Sequence, residues 1–316
     1  MRIVIALGGN ALLKHGQRPE AEPQRVRVLE AARVIAGATH GHDLVIVHGN
    51  GPQVGMLSLE SRADPALRRP YPLADLTAET QGLIGHWIAA GFRAAEPART
   101  AVAIVSHTVV DATDPALAHP TKPIGPVVTA AEADAAHRRW GWQFRPHDDG
   151  MRRVVGSPEP RAVIELPAAE LLLRAGAVVV IGGGGGIPVT TDGREVDAVI
   201  DKDLVAAQVA SALRADRLVI LTDVPAVVDG YGTPHARPLA GPHSSAELAE
   251  MSFEAGSMGP KVLAARRFVD QTAGVASIGA LGDVEAIMAG EAGTHVLPSL
   301  GPATIEESRA KQLAEA

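Results

Sequence analysis

Cysteine is absent from all 316 residues of this sequence. Its absence excludes disulfide bridges, thiolate nucleophiles and metal sites built from cysteine ligands. A chain without cysteine is also compatible with the reducing cytoplasm, where we expect this protein to act.

Aromatic residues, blocks of basic residues and long apolar runs are also scarce. Four Phe, three Trp and two Tyr provide few planar side chains for stacking on bases, and the net charge is −7. No stretch approaches the roughly 20 apolar residues that a membrane helix requires. We therefore expect neither a nucleic acid nor a membrane as a partner. The sequence does contain 46% hydrophobic residues, enough for a sizeable core.

Apolar runs that predict strands alternate with amphipathic patterns that predict helices. This alternation indicates an α/β fold with a mostly parallel sheet. The predicted strands are Arg2–Leu7, Asp43–His48, Ala101–Val105, Val178–Ile181, Arg217–Leu221, Ala276–Ile278 and Thr294–Leu297. The predicted helices are Gln24–Gly37, one with Pro52 in its first turn, Ala78–Ala94, Pro167–Ala175, Asp203–Leu213, Ser244–Met251 and Pro260–Thr272.

Residues 111–155, called the insertion below, interrupt this alternation. They include the segments HPTKPIGP and RRWGWQFRPHDD and two of the three tryptophans, but no long apolar run. The stretch is too long for a simple connection in a compact α/β domain. We interpret it as an inserted lid or small protruding subdomain within one domain of residues 1–316, with short strands near Val127–Thr129 and Arg153–Val155.

Glycine-rich loops follow three of the predicted strands. They are Gly8-Gly9-Asn10, Gly49-Asn50-Gly51 and the five-glycine run Gly182–Gly186. Ligands of open α/β sheets bind outside the carboxyl ends of the strands, where exposed N–H groups attract anions. Three such loops therefore predict an anion site, with the five-glycine run giving a phosphate room to approach. His48, which ends a strand beside Gly49, is expected to orient that loop unless it acts directly.

Familiar nucleotide-binding motifs are missing. No Gly-Lys dipeptide occurs, which excludes a Walker A loop, and the first strand continues as GGNAL instead of G-x-G-x-x-G. Ile187 stands where the five-glycine run would need its last glycine. A dinucleotide-dependent dehydrogenase is therefore disfavoured.

Lysine is rare, so the places where it occurs are informative. Only five of the 29 Lys and Arg residues are lysines, and three of them lie beside Pro, Gly or Asp: Lys122, Lys202 and Lys261. Phosphoryl transfer is catalysed mainly by positioned cations and backbone dipoles. Asp201 and Asp203 flank Lys202 and would hold the lysines in place, although either could equally cap the following helix. For Leu221–Pro225, which closes a strand, a simple turn and a nucleotide contact are equally good interpretations.

Taken together, these residues resemble the amino-acid kinase superfamily and, within it, the carbamate kinase family. The resemblance is carried by IALGGNAL, VHGNGPQVG, TQGLIGHW, PTKPIGP, GGGGGIPV, VIDKDLVA, LTDV and GSMGPK. It implies a three-layer αβα sandwich around a mainly parallel sheet of about eight strands, acting as a homodimer. It also implies ATP/ADP and Mg²⁺ as cofactors, without dedicated protein ligands for the metal, and reversible phosphoryl transfer between ATP and carbamate in arginine breakdown.

The same resemblance assigns roles to individual residues. The catalytic group is Lys122, Lys202, Asp203 and Lys261. Carbamate and the transferred phosphoryl group would be held by Gly8, Gly9, Asn10, Gly49, Asn50 and Gly51. The nucleotide would lie near Gly183, Gly184, Thr222, Asp223, Val224, Met258 and Pro260.

Two rival functions stay open. One is a related kinase that phosphorylates the carboxylate of an amino acid derivative such as acetylglutamate, which would need a further site for the acceptor's tail. The other is a nucleotide-binding regulatory protein without turnover, against which the three lysines and Asp203 argue.

Overall fold

The computed structural model describes residues 1–13, 20–147, 149–254 and 256–299. The strands are β1 Arg2–Leu7, β2 Asp43–His48, β3 Ala101–Ala103, β4 His107–Val109, β5 Lys122–Val128, β6 Gln143–His147, β7 Gly150–Val155, β8 Ala162–Val163, β9 Val178–Val180, β10 Ile187–Val189, β11 Arg217–Thr222, β12 Val228–Asp229, β13 Arg237–Pro238, β14 Gly241–Ser244, β15 Val275–Ala280 and β16 Thr294–Leu297.

The helices run between and around these strands. They are α1 Gly9–Leu12, α2 Ala21–Ala38, α3 Gly51–Ala63, α4 Leu73–Ala95, α5 Pro115–Ala118, α6 Ala130–Trp140, α7 Leu166–Arg174, α8 Lys202–Ala212, α9 Ser245–Ala249, α10 Met258–Thr272 and α11 Val284–Ala289, with short 3₁₀ helices at Gly183–Gly185 and Leu281–Asp283. Among the residues just given, no helix is both long and apolar enough to cross a membrane.

An eight-stranded sheet forms the centre of the molecule. Its strand order is β14-β16-β15-β11-β1-β2-β9-β3. All neighbours pair in parallel except β15 and β16, so β14 and β16 run against the other six strands. The prediction of a mainly parallel sheet of about eight strands is confirmed.

Helices cover both faces of this sheet, and β1 shows why. Ile3 and Ile5 join one buried cluster with residues of α2, α4 and α11. Val4 and Ala6 join a second cluster with residues of α8 and α10. Because successive side chains of a strand point to opposite faces, a fully apolar strand requires a helix layer on each side. The αβα sandwich follows from this requirement.

The insertion contains its own antiparallel sheet, in the order β5-β7-β6, together with α6. The strand β7 covers Arg153–Val155, whereas β5 ends at Val128, one residue short of the predicted Val127–Thr129, because Thr129 caps α6. The helix α6 was not anticipated. Its start was readable, since Thr129 and Glu132 form a reciprocal capping box at its N-terminus. Its end was readable too, because a glycine commonly ends a helix, and Gly141 does so here in the left-handed conformation with φ of 74°.

Candidate active site

The carboxyl ends of three neighbouring strands bring the first two glycine loops together. In the register of the sheet, Leu7 at the end of β1 lies between His48 of β2 and Leu221 of β11. The Gly8 N–H donates to the Leu221 carbonyl at 3.1 Å, and the Gly49 N–H donates to the Leu7 carbonyl at 2.9 Å. The two loops therefore form one edge, as the sequence predicted.

A cavity of about 830 Å³ opens over this edge. Twelve of the candidate site residues named from the sequence line it: Gly8, Gly9, Gly49, Asn50, Gly51, Lys122, Gly184, Asp201, Lys202, Asp203, Thr222 and Lys261. The backbone of Asn10 lies in α1, but its side chain is outside the described part of the structure. The cavity thus unites side chains from α8, α10 and the insertion.

Asp203 lies between two of the lysines. Its side chain is buried, accepts a hydrogen bond from Lys202 Nζ on one oxygen, and lies 3.4 Å from Lys261 Nζ on the other. Burial lowers the pKa of Lys202, and nearby Lys261 lowers it further, while Asp203 opposes the change. We call Lys202, Asp203 and Lys261 the buried triad.

Asp201 pairs with the third lysine, Lys122. Its Oδ2 lies 2.7 Å from Lys122 Nζ, and its Oδ1 accepts a 2.9 Å hydrogen bond from the Asp203 N–H, capping α8. Burial raises the pKa of Asp201, but Lys122 and then Lys202 outweigh that effect and bring it to about 2. Capping and charge pairing are therefore both present in one side chain. We call Lys122 and Asp201 the insertion pair.

A smaller recess of about 330 Å³ adjoins the main cavity. Thr222 and Ser257 line both spaces. The recess contains the predicted nucleotide residues Thr222, Asp223, Val224 and Met258. Pro260 lines neither space; it lies in the first turn of α10.

The five-glycine run has a different environment from the one expected. A Cβ atom added at Gly183 would come within 2.4 Å of His48 Nε2, and one at Gly184 within 2.3 Å of Asn50 Nδ2. At Gly185 it would come within 2.3 Å of the Ile200 carbonyl oxygen. Only Gly184 of the run reaches the main cavity. The glycines are required chiefly because the loop packs against the protein, so the interpretation as space for a phosphate needs correction.

His48 and Asn50 link that loop to the cavity. His48 Nδ1 lies 2.9 Å from the Gly49 carbonyl oxygen, and burial lowers its pKa to about 4. The imidazole is therefore uncharged near neutral pH and orients the Gly49 peptide. Asn50 Nδ2 donates to Thr80 Oγ1 at 2.9 Å, which anchors Asn50 to α4.

Several cavity residues were not anticipated from the sequence. Arg152 of the insertion lines the main cavity, and its Nε donates to the Gly125 carbonyl at 2.9 Å. Tyr231, Phe253 and Glu254 line the smaller recess. For Arg152, the only signal in the sequence was the basic dipeptide Arg152-Arg153. Tyr231, Phe253 and Glu254 had no signal, because they come from short loops without a motif.

Comparison with known proteins gives a consistent family. The amino acid kinase family matches residues 1–278. A carbamate kinase of Rhizobium meliloti (strain 1021) is 45% identical over 311 residues, covering 96% of this chain and 95% of that protein. A carbamate kinase of Escherichia coli (strain K12) is 44% identical over 295 residues, covering 93% and 98% respectively.

A solved structure agrees with these sequence matches. The carbamate kinase from Giardia lamblia bound to AMP-PNP superimposes with a TM-score of 0.86 at 35% identity, covering 94% of this chain and 98% of that one. Similarity thus extends over the sheet, both helix layers and the insertion.

Proposed function

The chain belongs to the amino acid kinase family, and from that premise we propose that it transfers a phosphoryl group reversibly between ATP and carbamate. The observation that carries the proposal is the convergence of Lys122, Lys202 and Lys261 on a glycine-lined cavity, each held by an aspartate. The acceptor is proposed from the near full-length similarity to carbamate kinases.

The chemistry requires cations and little else. In the direction of ATP formation, a β-phosphate oxygen of ADP attacks the phosphorus of carbamoyl phosphate. The bond from phosphorus to the carbamoyl oxygen breaks, and carbamate leaves as an anion. Because the attacking β-phosphate oxygen is already ionised and carbamate is stable as an anion when it leaves, neither a general base nor a general acid is needed. Lys202 and Lys261 neutralise the phosphoryl group in transit, and Lys122 reaches it from the insertion.

The two spaces suggest where each substrate binds. We assign the nucleoside of ADP to the smaller recess at Asp223, Val224 and Met258, and its phosphates to the shared wall at Thr222. Carbamoyl phosphate then occupies the main cavity against the Gly8 and Gly49 loops. This assignment places the phosphoryl group beside the buried triad.

Magnesium is part of the proposal. Among the described residues, no three His, Asp or Glu side chains form a metal-binding group. The carboxylates of Asp201 and Asp203 are already paired with lysines. Mg²⁺ commonly keeps several waters and binds substrate phosphates, and this chain fits that mode, in which the ion supplies charge neutralisation on the nucleotide.

The direct test is to mix the protein with ADP, Mg²⁺ and carbamoyl phosphate and to measure ATP. We expect ATP formation that requires all three. A protein that forms no ATP here but phosphorylates acetylglutamate with ATP would refute the carbamate assignment. A protein that binds ADP without either activity would be a regulatory protein.

We further propose a cytoplasmic homodimer with the insertion acting as a subdomain over the site. Val105, Ile164 and Leu171 are 47%, 52% and 66% exposed. Val105 lies between β3 and β4, the Ile164 N–H donates to the His107 carbonyl of β4, and Leu171 belongs to α7, which packs on β9, the neighbour of the edge strand β3. A second copy would cover these side chains. Sedimentation equilibrium should give twice the chain mass, and Leu171→Glu should reduce it. A monomer for the unmodified chain would refute the dimer.

A further inference from the structure

Two glycine backbones meet where the insertion touches the body of the molecule. A Cβ atom added at Gly55, in α3, would lie 2.7 Å from Gly125 Cα and 3.1 Å from Gly125 N. Carbon atoms in contact ordinarily stay about 3.5–4.0 Å apart. No residue larger than glycine therefore fits at position 55 unless the insertion moves away by about 1 Å.

Gly125 is itself tightly constrained. It has φ of 66°, a conformation that favours glycine, and it lies at the irregularity in β5 where the pairing with β7 shifts register. Arg152 of β7 donates from Nε to its carbonyl oxygen at 2.9 Å. The bulge is thus fixed from inside the insertion, so a push from α3 displaces β5 as a unit.

The same short segment carries Lys122. Only Pro123 and Ile124 lie between Lys122 and Gly125. Ile124 is 5% exposed in an apolar cluster with Val54 of α3 and Val199. Lys122 reaches Asp201 Oδ2 at 2.7 Å from this position. The contact at Gly55 therefore sets how far the Lys122 ammonium extends over the cavity.

We propose that Gly55 is a positioning residue, whose missing side chain lets Gly125 seat against α3 and so places Lys122 over the transferred phosphoryl group. The catalytic consequence rests on the proposed function, whereas the placement of Lys122 is purely structural. Helix propensity does not explain a glycine here, because glycine inside a helix is less stable than alanine by roughly 0.5–1 kcal/mol.

Gly55→Ala tests the proposal, and Gly82→Ala is its matched control. Gly82 also lies within a helix, α4, but a Cβ atom there would meet nothing within 4 Å. We expect Gly55→Ala to lower kcat for ATP formation about tenfold, and Gly82→Ala to leave it unchanged. A shift of 1 Å can cost about 100-fold, but here the contribution of Lys122 itself limits the loss. Equal kcat for Gly55→Ala and the unmodified enzyme would overturn the proposal.

The double variant with Lys122→Ala separates positioning from general damage. If Gly55 acts through Lys122, then adding Gly55→Ala to Lys122→Ala should cause no further loss of kcat. Independent, multiplying effects would overturn the proposal. A crystal structure of Gly55→Ala gives a readout that needs no activity. It should show Lys122 Nζ beyond hydrogen-bond distance of Asp201, and retention of the 2.7 Å contact would overturn the proposal even if the enzyme had another substrate.

Discussion

The buried triad and the insertion pair are both lysine–aspartate groups, but they are built differently. The triad comes from the first turns of α8 and α10, and its side chains are 13%, 4% and 16% exposed for Lys202, Asp203 and Lys261. The insertion pair joins β5 to the residue that caps α8, and Lys122 and Asp201 are 28% and 18% exposed. One group is fixed within the sandwich, while the other links two parts of the molecule.

The difference indicates separate tasks. Charges interact more strongly where water is excluded, so the triad should contribute most of the stabilisation of the transferring phosphoryl group. The insertion pair is more exposed to solvent, and its geometry depends on how the insertion packs against the sandwich. It should therefore contribute less to the rate and more to closing the site around substrate.

Removing the charge of Asp203 should have the largest effect. Asp203→Asn leaves Lys202 and Lys261 close together without a counter-charge. We expect kcat to fall about 1,000-fold and the free energy of unfolding to fall by roughly 3–5 kcal/mol. Steady-state kinetics and urea denaturation measure the two losses.

The surface pair of Asp229 and Arg237 supplies the control for that change. Asp229→Asn breaks an ion pair whose arginine is 67% exposed, and such pairs contribute at most about 1 kcal/mol. If Asp203→Asn were as harmless as Asp229→Asn, the buried triad would have no special role.

Lys202→Ala should cause the second-largest loss of kcat. It removes one cation from the triad but leaves Asp203 paired with Lys261, so the loss is smaller than with Asp203→Asn. We expect kcat to fall by roughly 100-fold or more, as for a lost electrostatic contact in a transition state. Turnover at the unmodified rate would refute the role assigned to Lys202.

Lys122→Ala should lower kcat less than Lys202→Ala does, because the charge of Lys122 is more exposed to solvent. We expect kcat to fall roughly 10- to 100-fold and the KM for carbamoyl phosphate to rise, while the KM for ADP changes little. Arg138→Ala, on the exposed surface of α6, removes the same charge from the insertion and should change neither constant. A loss larger than that of Lys202→Ala would reverse the comparison between the two groups.

The comparison also shows what the sequence could reveal. The strands β1, β2 and β16 were predicted with their observed bounds. For β1 and β2 the signal was an uninterrupted run of four or five apolar residues, Ile3–Leu7 and Leu44–Val47. Lysines beside Asp, Gly and Pro marked the charged groups. The strands β4, β8 and β10 were missed, since two or three residues carry no periodicity, and β14 was missed because its sequence GPHS contains no apolar run.

The five-glycine run shows the limit more sharply. A glycine run in a sequence says that Cβ atoms are not tolerated, but it does not say what occupies the space. Gly8 and Gly49 line the cavity, and a Cβ atom at either would come within 3.1 Å of backbone atoms. At Gly183, Gly185 and Gly186, which do not line the cavity, a Cβ atom would come within 2.4 Å of other protein atoms. For the same reason the role of Gly55 could not be predicted from the sequence. Its partner Gly125 is 70 residues away and comes close only in the folded chain.

The smallest expected effect is on the pH dependence of kcat, which should distinguish the buried triad from the insertion pair. Burial lowers the pKa of Lys202 from 10.5, so raising the pH removes its proton earlier than from an exposed lysine. Two lysines and one aspartate then lose their net positive charge, and kcat should fall several-fold at alkaline pH. Asp201, with a pKa of about 2, stays ionised throughout that range. The kcat profile should therefore keep its alkaline decline in Lys122→Ala and lose it in Lys202→Arg, because a guanidinium stays protonated. A decline that disappeared with Lys122 instead would assign the titrating cation to the insertion pair.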